Sequence, residues 1–512
     1  MLPKSLLLLT MTDKSFFIKT DTTTSFLSFI FHERSNMRYL LIALAGAIIQ
    51  FAIFKILYPY PDFISDSYSY IDTNLYNMKV NLWPIGYSKF LALVHLFTSS
   101  HVFLVALQYM ISTIALLYFF YSVLYLYGLS KNNAILLHVF LFFNPMFLYL
   151  ANCVLSDTLF GAISLTLFTQ YLWMYRQPRL SNIVFQALLI GTAFVLRYTA
   201  IYYPLVSIVA IMISGYKLPV KLVGMVMPWL LIIPFIVYTQ QQTKKITGTA
   251  EFSVFGGWQI ANNALYMYDY IQVDSTKLPE GTLELDRLAR QYFKAVPPEK
   301  RVLSEIQGTF FIKVPNAILK PYMAMRYQGG YDAPSGFKAW GMVSPVYKAY
   351  GTYLIKHYPF AFMRHYMWLN TQNYFIPYPE KFGSYNIGMR EVWDPAKVWF
   401  NLKSNDITLV PSIEFQGYVF FLYPLFFMVL NIYFIFLLGY FLFSGYLKYN
   451  SHTLNAAIIT VSAFLLINFG FSVFATPVVL RYQIVPMILL VYFSLLLTER
   501  LLVLMDETPK TS

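Results

Sequence analysis

The sequence predicts an all-α polytopic membrane protein with about ten transmembrane helices. Of its 512 residues, 58% are hydrophobic and only 12% are charged, so the chain is far more apolar than a soluble domain of its size. Hydropathy averaged over about nineteen residues reaches the level of a membrane-spanning helix about ten times. Short connections rich in Lys and Arg alternate with connections that carry acids, as the positive-inside rule requires.

In the segment ahead of the first long apolar run, short apolar stretches alternate with polar ones. Residues 1–37 contain a short apolar stretch but no small-residue cleavage pattern, so they do not resemble a signal peptide. Met37 opens the run MRYLLIALAGAIIQ with a basic residue at its start. We therefore expect residues 1–37 to be an N-terminal extension, either dispensable or the result of a mis-called start.

The helices fall into two groups. Seven are predicted in residues 38–239, three in residues 415–500, and residues 501–512 form a cytoplasmic tail. With the N-terminus inside, the basic connections all lie on the cytoplasmic side. The predicted spans lie near 38–57, 101–127, 132–151, 155–175, 182–197, 199–215, 219–239, 417–444, 453–474 and 479–499.

Two long connections remain on the opposite side. Residues 58–99 form the first external loop, in which a Pro-Gly turn leads into an apolar helix too short to span, so we expect interfacial helices there. Residues 240–414 form a large external insertion between helices seven and eight. Its aromatic segments, such as YLIKHYPFAFMRHYMWL, suit helices that lie against the interface.

Acidic residues on this side are the first candidates for a functional site. The first external loop contains Asp62, Asp66 and Asp72, and Asp157 lies between the third and fourth helices. An acid inside an apolar hairpin is costly and therefore a functional candidate. The alternatives are solvated loop residues in the first case and a helix N-terminal acid in the second.

Two arginines also lie on the side away from the basic connections. Arg197 and Arg481 each follow the apolar run of a predicted span or precede one, so topology does not explain them. A guanidinium group there can bind a lipid phosphate through two parallel hydrogen bonds. The alternative is an arginine that reaches the headgroup region without a specific role.

Further polar and aromatic residues are candidates for sugar or acceptor binding. Aromatic faces stack on sugars, and amides hydrogen-bond their hydroxyls. The alternative for the segment FGGWQIANNAL is an interfacial helix with a buried tryptophan. The candidates are Asp62, Asp72, Tyr68 and Tyr70 in the first loop and Trp258, Gln259, Asn262 and Asn263 in the insertion.

Several other chemistries find no support. The single cysteine, Cys153, excludes an intrachain disulfide, and no phosphate-binding glycine loop or metal-binding histidine motif is present. The net charge of +13 comes from dispersed basic residues, which argues against nucleic acid as a partner. Carboxylates suit Mg²⁺ or Mn²⁺, so a divalent cation held by Asp66 and Asp157 stays open.

The order of these motifs resembles the C-type superfamily of polytopic glycosyltransferases, which includes protein O-mannosyltransferases and the lipid A aminoarabinose transferase. The motifs are DSYSYI followed by WPIGYSKF, then NP followed by SDTLF, then LRYTA, and a closing RYQIVPMILL. The likeness covers most of residues 38–500 in architecture, but the matching stretches are short.

The resemblance implies transfer of a sugar from a polyprenyl-phosphate donor to an acceptor at the external membrane face. It implies an essential acid at Asp66 and a second at Asp157, with membrane lipids as partners and a bacterial inner membrane as the location. The family often has two adjacent acids in the first loop, whereas Ser67 follows Asp66 here. Lipid, protein and polysaccharide all remain possible acceptors.

The chemistry of these residues agrees with such a transfer. A carboxylate can take the proton of an acceptor hydroxyl, and Arg197 and Arg481 can stabilise the charge that develops on the departing phosphate. A transporter or lipid flippase is the main alternative, although it predicts charges at the bilayer midplane and inverted repeats. An O-antigen ligase or polymerase is a further alternative, although it does not need an acidic first loop.

Overall fold

The protein is helical throughout the part of the chain that the structure, a computed structural model, describes. The described residues are 24–301, 308–330, 332–475 and 477–507. Within these ranges there is no β-strand, and β-type pairing is limited to three isolated bridges. The fold class predicted from composition and apolar runs is therefore confirmed at the level of an all-α protein.

A first group of helices precedes the insertion. Its members alternate in direction, so the ends near residues 57, 101, 152, 157, 196, 203 and 247 belong to one end of the bundle. We call it the insertion end. The helices are α1 (Phe26–Phe31), α2 (Arg34–Leu57), α3 (Ser65–Leu75), α4 (Gly86–His95), α5 (His101–Leu126), α6 (Lys131–Phe142), α7 (Pro145–Asn152), α8 (Asp157–Arg176), α9 (Leu180–Leu196), α10 (Tyr203–Ile213) and α11 (Leu218–Thr247).

The remaining helices form the insertion and the end of the chain. The insertion contains α12 (Val254–Leu265), α13 (Leu283–Ala295), α14 (Phe310–Lys313), α15 (Leu319–Arg326), α16 (Ala333–His357), α17 (Pro359–Phe362), α18 (Trp368–Phe375) and α19 (Asp394–Phe400). The chain then returns through α20 (Phe415–Phe420), α21 (Tyr423–Phe443), α22 (His452–Ala475) and α23 (Ile484–Glu507).

Seven helical segments in the described residues are long and apolar enough to cross a membrane, fewer than the ten predicted. They are Arg34–Leu57, His101–Leu126, Lys131–Asn152, Leu218–Thr247, Phe415–Phe443, His452–Ala475 and Leu480–Met505. The predicted spans near 182–197 and 199–215 correspond to shorter apolar helices, and the one near 155–175 corresponds to α8.

Helix α8 is set apart by its burial. It is long enough to span, yet it carries Asp157, Ser164 and Gln170, and most of its residues are enclosed by neighbouring helices. Ser164 shares a hydrogen bond of 2.6 Å with Tyr203. Such polar groups are tolerated because they find partners inside the bundle, and they lower the apolarity by which a span is recognised.

Part of the predicted N-terminal extension packs on the bundle. The Phe26 ring of α1 lies 5.0 Å from the Trp173 ring and 5.4 Å from the Tyr125 ring. Helix α2 begins at Arg34, ahead of Met37, and the carbonyl of Asn36 accepts a hydrogen bond from Tyr121. Residues 1–23 lie outside the described residues, and the prediction about the start of the chain stays a prediction.

The insertion has a hydrophobic core of its own, formed mainly by α12, α13 and α16. It begins later than residue 240, because α11 continues to Thr247. Gly248 then ends the helix with a left-handed conformation at φ 81°, which glycine adopts without strain. The polar tail of α11 therefore carries the chain out of the apolar region before the insertion starts.

Candidate functional site

Three helix ends meet at the insertion end of the bundle, and each brings a charged side chain. Asp157 is the first residue of α8, Arg197 follows the last residue of α9, and Arg481 lies in a short turn before α23. The Asp157 carboxylate accepts hydrogen bonds from both guanidinium groups, at 2.9 Å from Arg481 and in a close ion pair with Arg197. It thereby holds two like charges side by side.

Arg481 also reaches two other carboxylates. Its Nε lies 3.1 Å from a Glu380 oxygen, and its Nη2 lies 3.9 Å from an Asp66 oxygen. The sequence predicts that Asp66, Asp157, Arg197 and Arg481 converge, and these contacts confirm that convergence. An arginine presents several N–H groups in a fixed plane, which suits it to bind several acids at once.

Glu380 is a member of the site that the sequence analysis missed. It comes from the insertion and adopts a left-handed backbone at φ 51°, which is uncommon for a residue other than glycine. Its second oxygen lies 3.0 Å from Lys313 Nζ. Burial alone would raise the pKa of this carboxyl, but Arg481, Lys313 and Lys381 outweigh burial and lower the pKa to about 2.

We call these six residues the charge cluster: Asp66, Asp157, Arg197, Lys313, Glu380 and Arg481. Three acids face three cations, so the cluster is formally neutral. Its centre is closed, since the side chains of Asp157 and Arg481 are only 4% and 6% exposed. Its edges are open, since the side chains of Asp66 and Lys313 are 22% and 41% exposed.

An aromatic ring contacts both arginines. Tyr482 lies with its ring centre 4.4 Å from the guanidinium carbons of both Arg197 and Arg481, and Arg481 Nη2 donates to the Tyr482 hydroxyl at 2.8 Å. Cation–π contacts of this kind stabilise a desolvated cation. The ring therefore helps to keep both guanidinium groups near one another.

A close helix contact sets the position of Arg197. Gly86, the first residue of α4, approaches the backbone of Val195 so closely that a Cβ atom would lie 2.5 Å from the Val195 carbonyl oxygen. Only glycine fits at such a distance. The glycine of the WPIGY motif thus brings the first loop against the end of α9, two residues before Arg197.

The first turn of α3 places Asp66 at the edge of the cluster. The Ser67 hydroxyl accepts a hydrogen bond of 3.0 Å from the Ile64 amide, which caps the start of this helix. One turn further along α3, the Tyr70 hydroxyl shares a hydrogen bond of 3.1 Å with Ser156, the residue before Asp157. Tyr70 is buried and joins α3 to the start of α8, a packing contact in place of the predicted sugar contact.

The other candidates of the first loop lie outside the charge cluster. Asp62 is buried, pairs with the Asn152–Cys153 backbone, and accepts a hydrogen bond of 3.0 Å from the Asn386 amide. Burial raises its pKa to about 7. Tyr68 is buried against Trp393, with ring centres 4.3 Å apart. These contacts fasten the insertion to the first loop, which explains why neither side chain is presented to a ligand.

Asp72 stays in α3 but faces away from the cluster, and burial raises its pKa to about 6. Among the described residues, Asp72 makes no ion pair with any member of the charge cluster. The structure therefore separates Asp66 from the two acids that flank it in sequence. Only Asp66 of the three contacts Arg481.

The predicted sugar-stacking residue of the insertion is instead part of its core. Trp258 is fully buried, its ring lies 3.9 Å from the Trp340 ring, and its Nε1 donates to the Trp340 carbonyl at 3.1 Å. The amides next to it are buried as well: Gln259 donates to Asn263 at 2.6 Å, and Asn262 donates to the Gly308 carbonyl at 2.8 Å. The prediction of a ligand surface here is wrong because other parts of the insertion and the end of α22 cover the polar face of α12.

Two asparagines of the insertion cap the end of α22. Asn263 donates to the carbonyl of Phe474 and Asn370 to that of Val473, each at 3.2 Å. Carbonyls in the last turn of a helix have no partner within the helix and need one from outside. The insertion thus holds the end of α22, six residues before Arg481. A bridge between Tyr378 and Val479 holds the chain again, two residues before Arg481.

The carboxylates of the cluster do not suit a divalent cation as they stand. Both oxygens of Asp157 accept from guanidinium groups, and no group of three or more His, Cys, Asp or Glu side chains that could hold a metal occurs among the described residues. A cation bound by Asp66 and Asp157 would have to displace Arg481. We therefore derive no step that passes through a metal.

Fold and site together define a class: a polytopic helical membrane protein with a closed charge cluster at the insertion end of its bundle. Comparison of the chain with models of protein families, with curated proteins and with solved structures finds no match. The functional argument accordingly depends on the cluster itself.

Proposed function

We propose that the protein is an integral membrane glycosyltransferase that moves a sugar from a polyprenyl-phosphate donor to an acceptor hydroxyl. The observation that carries the proposal is the meeting of Asp66, Arg197 and Arg481 at one end of a membrane-spanning bundle. A partly exposed carboxylate beside two guanidinium groups offers a base and an anion site a short distance apart. The resemblance of the sequence motifs to the C-type glycosyltransferases points to the same chemistry.

In this proposal the acceptor hydroxyl attacks the anomeric carbon while Asp66 takes its proton. The bond from the anomeric carbon to the phosphate oxygen breaks, and its electron pair leaves with the prenyl phosphate. Arg197 and Arg481 stabilise the charge that develops on that phosphate. A single displacement of this kind inverts the anomeric centre.

Asp157 is then a positioning residue and not a second base. Each of its oxygens already accepts from an arginine, so neither is open to the proton of an acceptor. Its charge keeps the two guanidinium groups together, and the ion pairs of Glu380 do the same for Arg481 and Lys313.

We further propose that the insertion end faces the outside of a bacterial inner membrane. The basic connections at 127–133, 175–182, 215–221 and 446–452 lie at the opposite end, which the positive-inside rule assigns to the cytoplasm. In this arrangement α8, α9 and α10 complete ten spans, α3 and α4 lie at the interface, and the active site faces the periplasm.

The test supplies the purified protein in lipid nanodiscs with a panel of polyprenyl-phosphate sugars and with lipid, peptide and polysaccharide acceptors. We expect one donor to be consumed and Asp66→Asn to abolish its consumption. Asp72→Asn is the matched control, because it removes one acid from the same helix outside the cluster. Equal donor consumption by wild type and Asp66→Asn would contradict the assigned base. Movement of a prenyl phosphate between leaflets without sugar transfer would favour the flippase.

A further inference from the structure

Asp66 has the weakest hold on Arg481 of the three acids. Its oxygen lies 3.9 Å from the guanidinium, against 2.9 Å for Asp157 and 3.1 Å for Glu380. Its side chain is also the most exposed of the three, whereas Asp157 and Glu380 are nearly closed off from solvent. An incoming anion would therefore exchange with Asp66 before it exchanges with either of the others.

The donors that face Asp66 are the ones an anion can reach. Arg481 uses Nε for Glu380 and Nη1 for Asp157, and turns Nη2 towards Asp66 and the Tyr482 hydroxyl. Among the described residues, Asp157 is the one carboxylate that Arg197 contacts, through Nη1. Arg481 thus turns Nη2 to the partly exposed Asp66, where a phosphate can replace the carboxylate, while Glu380 and Asp157 fix its Nε and Nη1.

We propose that the phosphate of the lipid-linked donor binds Arg481 in place of Asp66, and that this exchange releases Asp66 to act as the base. The proposal rests on the glycosyltransferase function proposed above. It adds that binding of the donor controls when Asp66 becomes available as the base. Without a donor, Asp66 is engaged by a cation and is a poor proton acceptor. With a donor bound, the same carboxylate is free beside the reacting carbon.

The charges favour the exchange. A phosphodiester donor brings one negative charge, as Asp66 does, but its oxygens match the fork of a guanidinium. The departing prenyl phosphate is a monoester whose charge approaches two, so Arg481 holds the phosphate more strongly as the reaction proceeds. Asp157 and Glu380 keep Arg481 in place during the exchange because they bind its other N–H groups.

Released Asp66 lies in the first turn of α3, where the unpaired amides of the helix start favour a negative charge. The carboxylate then takes the proton of the acceptor hydroxyl as the new bond to the anomeric carbon forms. The electron pair of the broken bond stays with the phosphate, so protons and electrons balance without a further reactant.

The experiment measures the binding of a long-chain prenyl phosphate to the purified protein in nanodiscs. If the phosphate competes with Asp66, then Asp66→Asn loses sugar transfer and yet binds prenyl phosphate about two- to fivefold more tightly, the range that a partly exposed ion pair contributes. Asp66→Glu keeps the competing charge, so its affinity stays at the wild-type level. The thermal unfolding midpoint of each variant shows that it is folded.

The control is Asp72→Asn, which removes the same charge from α3 outside the cluster. Its affinity should equal that of the wild type. Equal or weaker binding by Asp66→Asn would overturn the exchange, and equal tightening by Asp72→Asn would overturn it as well, because the effect would then be one of net charge. Absence of prenyl phosphate binding by every variant, the wild type included, would instead refute the glycosyltransferase proposal.

Discussion

Two regions of the molecule bury a carboxylate among cations and tyrosines, and they do so in different ways. In the insertion, Asp286 is fully buried and accepts from Tyr268 at 2.7 Å, from Tyr350 at 2.8 Å and from Arg290 at 2.8 Å. At the insertion end of the bundle, Asp157 is also closed off but accepts from two arginines, one of which, Arg481, contacts two further acids.

The difference lies in where the partners come from. Arg290 is one helical turn from Asp286, and both tyrosines belong to the same core, so the Asp286 contacts hold the insertion together. The charge cluster draws on chain segments from Asp66 to Arg481 and has open edges and a left-handed residue at Glu380. Unusual backbone conformations of this kind collect at functional sites. A locally satisfied charge indicates packing, whereas a charge network shared by distant segments indicates function.

Replacement of Arg481 should have the largest effect. Arg481→Met leaves Asp157 and Glu380 buried without their common cation, so we expect a loss of about 3–5 kcal/mol in the free energy of unfolding and no measurable sugar transfer. Thermal unfolding and donor consumption in nanodiscs measure the two effects. Unfolding at the wild-type temperature would show that the cluster is not a network.

A pair of neutralising changes tests the comparison itself. Glu380→Gln frees Arg481 to shift, and a shift of about 1 Å in a reacting group costs about 100-fold in rate. Asp286→Asn weakens a buried hydrogen bond and should cost about 1–3 kcal/mol of stability while the turnover of the folded protein stays unchanged. If Asp286→Asn lowered turnover as much as Glu380→Gln, the distinction between the two regions would fail.

Two glycine replacements test whether the first loop sets the position of Arg197. In Gly86→Ala, the new Cβ meets the Val195 backbone, so α4 must move and stability should fall by about 1–3 kcal/mol, with a fall in turnover. Gly161→Ala in α8 meets no atom within 4 Å and should be neutral or stabilising by up to about 1 kcal/mol. Circular dichroism melting curves compare the two variants, and equal curves would contradict the close contact at Gly86.

The smallest expected effect concerns Asp62 and pH. Burial raises the pKa of its carboxyl from an ordinary value near 4 to about 7, so the folded protein binds a proton that the unfolded chain releases. This contribution to stability is fully present below about pH 4 and is lost as the pH rises through 7. Asp62→Asn should therefore be a few degrees more stable than the wild type at pH 8 and equal to it at pH 4. Parallel melting curves at all pH values would contradict a buried, titrating Asp62.

Three of the four cluster residues that could be predicted share one property: each is a charge inside an apolar segment, whereas Asp66 was selected through the family resemblance. Asp157, Arg197 and Arg481 interrupt runs of apolar residues, where a charge is costly and therefore conspicuous. Glu380 and Lys313 belong to the insertion, where charges are common, so little in the sequence distinguishes them from other charges there. The one available signal was the acid of PYPEKFG in an otherwise aromatic stretch.

The errors have physical causes of the same kind. A helix with a tryptophan and several amides on one face, such as α12, has the same pattern whether that face meets a ligand or another helix. The packing of α14 and α16 on α12 decides between the two. Seven segments of the described residues, and not ten, are long and apolar enough to span, because α8 exchanges apolarity for internal hydrogen bonds and α9 and α10 are short. Apolar runs predict which segments enter the bundle, but not which of them lie at its centre.

The bridge between Tyr378 and Val479 also constrains the order of events during synthesis. Asp157 and Arg197 leave the ribosome early and can pair while most of the chain is still unmade. Arg481 is synthesised after all the other members of the cluster, and the segment before it is held by the insertion, which precedes it in the chain. The charge cluster is thus completed only after Arg481 has been synthesised, and a chain stopped before Arg481 carries every other member of the cluster without its centre.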